Sequence, residues 1–163
     1  MPRMKQTLLV AMIVLSTVGV ANAGGQAGSF GVGAEFQLSN LGGLSANYDA
    51  GKFHVGGFFG VSDPAGDDNT EIQVGGRFYF HVASTAMSDF SIGGSLGISS
   101  QDQGPNVDRA TLVFIEPGFQ IRAFVATNVA LSFSGGFSIG AADADGLSIS
   151  GDFVGNGGIH YYF

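Results

Sequence analysis

From Phe30 onward the chain alternates apolar and polar residues with a period of two, and no segment repeats apolar residues at helical spacing. The stretch Glu71 to Val82 shows the pattern most plainly. Ile72, Val74, Gly76, Phe78, Phe80 and Val82 occupy one set of positions, and Glu71, Gln73, Gly75, Arg77, Tyr79 and His81 the other. Successive side chains of a strand point to opposite faces, so each such segment is a strand with one apolar and one polar face. A chain built only of two-faced strands must hide one face of its sheet, in a sandwich or in a barrel closed on itself. The alternation predicts eight strands, at about 29–38, 43–49, 52–62, 70–82, 89–100, 109–125, 128–140 and 148–163. Asp49-Ala50-Gly51, Ala83 to Ser88 and Ala126-Thr127-Asn128 read as short turns. Ser62 to Asn69, Ser100 to Asp108 and Ala141 to Gly146 read as longer, mostly acidic loops, with Ser39 to Gly42 a short exception. Short and long connections that alternate around an even number of strands fit an antiparallel up-and-down barrel better than a sandwich.

Which face is outermost follows from charge. The polar faces of the fifth and seventh strands are Ser91, Gly93, Ser95, Gly97, Ser99 and Ala130, Ser132, Ser134, Gly136, Ser138, without one Lys, Arg, Asp or Glu. Water-facing surfaces normally carry roughly 25–35% charged residues, and this chain has 12% overall. Turned inward, the same small side chains suit a narrow lumen. The apolar faces, among them Val113, Ile115, Phe119 and Ile121 in the sixth strand, then face lipid. Phe30, Tyr48, Phe53, Phe80, Phe90, Tyr161 and Phe163 fall together on the lipid face at the strand ends joined by short turns, as an interfacial girdle requires. Phe58 and Phe124 have the opposite parity and are expected to mark a bulge or a misplaced strand boundary.

The start of the chain reads as an export signal. Arg3 and Lys5 precede an apolar run from Leu8 to Val20, which is followed by Ala21-Asn22-Ala23. The run is short of the roughly 20 residues of a membrane-spanning helix, and small-x-small is a cleavage pattern. Residues 1–23 are therefore expected to be a signal peptide and 24–163 one barrel domain. Residues 24–163 carry Lys52, Arg77, Arg109 and Arg122 against 13 acids, a formal charge of −9. That balance excludes a phosphate-binding stripe for nucleic acid. With no Cys there is neither a disulfide framework nor a thiolate metal site.

Two stretches carry a family resemblance. Gly157-Gly158-Ile159-His160-Tyr161-Tyr162-Phe163 is similar to the closing strand of small outer-membrane barrels, and Pro117 to Leu131 to their strand–turn–strand with an aromatic before a Thr-Asn turn. The chain resembles the eight-stranded family typified by the OmpA transmembrane domain and OmpX. The resemblance implies an all-β antiparallel transmembrane barrel in the outer membrane of a Gram-negative bacterium. It also implies an assembly signal, Ile159, Tyr161 and Phe163, read by the barrel-assembly machinery. The motifs specify an architecture and not an activity. The first loop is shorter than in these barrels, and no peptidoglycan-binding domain is expected, so wall anchoring is not implied.

Eight strands enclose an interior just wide enough to be filled by side chains. Glu35, Glu71, Arg77, Glu116, Gln120 and Arg122 are expected to form a lumenal polar network, because buried charges must pair. The expected role is structural or surface-interacting, without catalysis or cofactor, as a monomer among outer-membrane lipid and lipopolysaccharide. The alternative is a low-conductance pore for small ions or solutes, gated by that network. His54, His81 and His160 project inward at the short-turn end, and His54 with His81 is the one pair of candidate metal ligands; hydrogen bonding is the expected use of these rings, and no metal is assigned. No histidine falls near the long loops, so serine chemistry at the outer leaflet lacks its base. Asp63, Asp67, Asp68, Asp143 and Asp145 cluster in loops without calcium-loop spacing and read as a solvated acidic surface.

Overall fold

A computed structural model describes residues 27–37, 42–63, 70–102, 108–142 and 146–163. The expected signal peptide, residues 1–23, lies outside them, as do Asp67, Asp68, Asp143, Asp145 and most of the first loop. Eight strands follow one another: β1 (Phe30–Gln37), β2 (Gly42–Asp49), β3 (Phe53–Ser62), β4 (Glu71–Ser84), β5 (Ser88–Gln101), β6 (Ala110–Ala126), β7 (Val129–Ala142) and β8 (Gly146–Tyr162). Each pairs antiparallel with its neighbour in sequence, and β8 returns to β1 from Gly31↔Tyr162 to Gln37↔Asn156. Closure leaves no strand edge unpaired. The expected boundaries agree with these strands to within two residues, because the alternation that defines them is also what the ladder uses.

The face assignment holds throughout β4 to β7. Ile72, Val74, Phe78, Phe80, Leu96, Ile98, Val113, Ile115, Leu131 and Phe137 stand outside and exposed, while Gln73, Arg77, Tyr79, Ser91, Ser99, Gln120, Arg122 and Ser134 are buried within. This is the reverse of a soluble protein, in which the ionic groups would be outside. At the end where the short turns lie, Phe30, Tyr48, Phe80, Phe90, Tyr161 and Phe163 are all exposed on the outer wall, and Phe53 stacks on Phe78 (centroids 5.3 Å apart). The ladder is irregular between His81 and Ala83, between Phe124 and Ala126, and between Gly136 and Ser138.

Phe58 departs from the expectation of a bulge or boundary, whereas Phe124 does border a bulge. Phe58 lies in an unbroken register between β2 and β4, and its ring points into the lumen, stacked 6.4 Å from Phe114. Phe124 is buried against Tyr162, 5.8 Å away, with the ladder irregularity only after it. Neither position is a boundary error. Both rings fill the lumen, a use that strand parity permits and that a lipid-facing role for every aromatic residue overlooks.

The β2–β3 turn is built by two residues. Gly51 has φ 87°, and its amide donates to Asp49 Oδ1 at 2.9 Å. Left-handed backbone costs an ordinary residue about 1–2 kcal/mol. Gly51→Ala is expected to lower the urea midpoint of the refolded barrel by a corresponding amount while leaving its strand content unchanged by circular dichroism.

Candidate functional site

The lumen collects the ionisable side chains that the outer wall excludes. Alternation aims them inward, and barrel closure brings residues far apart in sequence within hydrogen-bonding reach. Two arginines organise the interior.

Arg77 of β4 reaches across the lumen to Glu35 of β1, and its two terminal nitrogens donate to the two carboxylate oxygens as a buried bidentate pair. Its guanidinium also lies over the Phe58 ring, 5.7 Å from the centroid. Such a fork-to-fork pair is the geometry that guanidinium and carboxylate fit best.

Arg122 of β6 is fully buried nearer the short-turn end and uses its guanidinium on every side. Nε donates to Asp89 Oδ2 at 2.9 Å, Nη2 to Asp49 Oδ2 at 2.7 Å, and Nη1 to the Tyr162 hydroxyl at 3.0 Å. The rings of Phe124 and Tyr162 flank it at 5.6 and 5.9 Å, where a cation is attracted to the π face. Asp49 therefore serves two structures at once: Oδ1 holds the turn through Gly51, and Oδ2 holds Arg122.

The histidines join this cluster as a relay of hydrogen bonds. His81 Nδ1 donates to the Gly51 carbonyl at 2.9 Å, which leaves its Nε2 as an acceptor. That nitrogen receives Arg122 Nη2 at 3.1 Å and His54 Nδ1 at 2.8 Å. Among the described residues, neither His54 Nε2 nor the Gln120 amide oxygen makes a side-chain hydrogen bond. His160 sits apart, with Nε2 at 2.5 Å from Ser45 Oγ. His54 and His81 are thus joined directly to one another, with Arg122 beside them. Among the described residues, no group of three or more His, Cys, Asp or Glu is arranged to hold a metal.

The remaining expected members find small partners. Glu116 accepts from Ser95 Oγ at 2.9 Å, Glu71 from Ser99 Oγ at 2.9 Å, and Gln120 Nε2 donates to Ser134 Oγ at 2.9 Å. Neither Glu71 nor Glu116 pairs with an arginine; Asp49 and Asp89 do so instead. Both aspartates lie outside the network expected from the sequence. Their signal was parity: Asp49 continues the inward series Ser45, Asn47, and Asp89 begins the inward series Ser91, Gly93, Ser95. At the loop end, exposed Arg109 ties Ser100, Asp102 and the Thr70 carbonyl together. Asp63 accepts from Thr70 Oγ1 at 3.0 Å.

An eight-stranded closed antiparallel barrel in sequential order, apolar outside and ionic within, is the fold of the small outer-membrane β-barrels, the OmpA-like class that the sequence resembles. Among solved structures the chain is similar to the N-terminal β-barrel domain of Pseudomonas aeruginosa OprF, with TM-score 0.50 and 14% identity over 83% of this chain and 96% of that one. It is also similar to a major outer membrane protein from Thermus thermophilus (TM-score 0.49, 14% identity, 85% and 100% covered). A third is Ail, the attachment invasion locus protein of Yersinia pestis (TM-score 0.43, 13% identity, 85% and 100% covered). At these identities the likeness is one of fold. No protein-family model matches the chain, and no curated protein does.

Proposed function

We propose that this chain is a non-catalytic outer-membrane barrel with a structural or surface-interaction role, its lumen plugged by its own side chains. The observation that carries the reading is the burial of the lumenal charges. The side chains of Arg122 and Asp49 are 0% exposed and that of Arg77 4%, in a barrel whose outer wall leaves residues such as Leu44 and Leu96 largely uncovered. Ions that line an open channel would be wet. In small barrels of this kind the short turns are periplasmic and the longer loops extracellular. That convention sets the turns near Ala50, Ala86 and Thr127, together with Phe30 and Phe163, at the periplasmic side of a Gram-negative outer membrane.

The apolar wall and its aromatic girdle then contact outer-membrane lipid and lipopolysaccharide, and the closed sheet favours a monomer, since it offers no edge to a second copy. Ile159, Tyr161 and Phe163 of the closing strand are the residues we assign to recognition by the assembly machinery. Outer-leaflet hydrolysis would need a histidine near the loops, whereas His54, His81 and His160 sit toward the opposite end.

The test is conductance of refolded protein in planar bilayers. Silence is the expected result. Discrete current steps that change in Arg77→Ala or Glu116→Ala would replace this reading with that of a salt-bridge-gated pore.

A further inference from the structure

The inward row Phe58, Gly75, Gly97, Phe114 runs across β3 to β6, each residue paired with the next. The two glycines make room for the two rings. A Cβ on Gly75 would collide with Phe58 Cζ, and one on Gly97 with Phe114 Cζ. The phenyl groups lean over these glycines from either side and meet, 6.4 Å apart and 25° from parallel. Gly140 flanks Phe114 on β7, so small residues border that ring on both sides. One row nearer the short-turn end stand Arg77, Ser95 and Glu116; one row nearer the loops stand Gln73, Ser99 and Leu112.

What lies on the short-turn side of the rings is polar and buried. Glu35, Ser45, Asn47, His54, Arg77, Ser91, Gln120 and His160 are all buried. Among the described residues, Asn47 Oδ1, His54 Nε2, Arg77 Nε, Gln120 Oε1 and His160 Nδ1 make no side-chain hydrogen bond. A layer this rich in polar atoms attracts water strongly, because buried polar groups gain free energy from hydrogen-bond partners. Ion pairs and serines are themselves hydrophilic and make poor barriers to water. Apolar constrictions exclude it by dewetting. We propose that Phe58 and Phe114 form the apolar seal that keeps bulk water and small cations out of the lumen from the loop end.

The charge of the lumen sets which ions the seal withholds. Among the described residues, Glu35, Asp49, Glu71, Asp89 and Glu116 face inward against Arg77 and Arg122. These described side chains carry excess negative charge, so cations enter in preference to anions once the rings are gone. The inference rests on the plugged-lumen reading and adds which residues close it.

The absence of cysteine allows a clean reporter. Ser91→Cys places a thiol at a fully buried position paired with Gln120 and His81. The full chain, refolded in lipid vesicles, is treated with Ag+ in chloride-free buffer, and silver uptake is followed by mass spectrometry. The thiol is expected to be inert in the native background and to react about tenfold faster or more when Phe58→Ala and Phe114→Ala are combined. The anionic reagent methanethiosulfonate ethylsulfonate should stay slow. Phe58→Leu with Phe114→Leu should keep the thiol inert, and so should Arg77→Ala with both rings present. Should the double alanine variant not refold, Phe58→Ala alone carries the same expectation. No acceleration in the alanine variants, or equal acceleration in Arg77→Ala, overturns the proposal. Silver uptake by Ser91→Cys in the native background overturns instead the plugged-lumen reading beneath it.

Discussion

Arg122→Ala is expected to destabilise the folded barrel by about 3–5 kcal/mol, the range for breaking a buried ion pair from one side. The reason is what the arginine leaves behind. Asp49 and Asp89 are both buried, both held by the same guanidinium, and would face each other as two carboxylates without a cation between them. Tyr162 would lose its hydrogen bond, and the rings of Phe124 and Tyr162 the cation they flank. The damage would spread to the turn, because Asp49 also fixes the Gly51 amide. Urea unfolding in lipid, with the folded fraction read by heat-modifiable gel migration, measures the loss. Arg109→Ala is the contrast: its pair with Asp102 is solvent-exposed, at 3.2 Å, and such pairs are worth about 0–1 kcal/mol. Restoring charge balance in Arg122→Met with Asp49→Asn and Asp89→Asn should recover a large part of the loss. An Arg122→Ala barrel as stable as the Arg109→Ala one would mean that the lumenal network does not hold the fold.

The contrast between these two arginines also shows what the sequence makes legible. Parity placed Arg122 inside, because its neighbours Ile121 and Ala123 are outside, and one strand suffices to read that. Choosing its partner requires knowing how the strands stagger around the barrel, and the shear is set by closure. Glu116 is six residues away on the same strand and binds Ser95, while Asp49 arrives from β2, 73 positions earlier in the chain. Asp49 and Asp89 were further disguised by local roles. An Asp two residues before a Gly reads as a turn, and an Asp at the start of a strand reads as its end. For Asp49 the turn chemistry is real, and in both cases the side chain satisfies a demand that only the closed barrel creates. Phe58 and Phe124 were hidden differently. Aromatic residues in a membrane strand are expected at the lipid interface, but a lumen lined by Gly75, Gly97 and Ala130 has space that large rings fill.

Removing Phe163 is expected to reduce accumulation in the outer membrane far more than it reduces the stability of barrels that do fold. The residue fastens the seam where the sheet closes. Its amide donates to the Phe30 carbonyl at 3.0 Å, its carbonyl accepts from the Phe30 amide at 3.1 Å, and its ring meets that of Phe30 edge-on at 5.6 Å. Two hydrogen bonds and one aromatic pair together amount to about 1.5–4.5 kcal/mol. The centre of that range lies below the one expected for Arg122→Ala, because the seam keeps its other pairs from Gly31↔Tyr162 onward. Assembly is another matter if the closing strand is what the machinery reads, since Ile159, Tyr161 and Phe163 present one outward apolar face. Phe163→Tyr retains ring and backbone and should accumulate normally. Phe163→Ala retains the backbone bonds but loses the outward ring, so it separates recognition from seam pairing. Measured side by side, refolding yield in vesicles should change little across the three variants. The amount of heat-modifiable barrel in isolated outer membranes should fall steeply in the deletion and in Phe163→Ala. Normal accumulation of Phe163→Ala would remove Phe163 from the assembly signal and leave it a seam residue only.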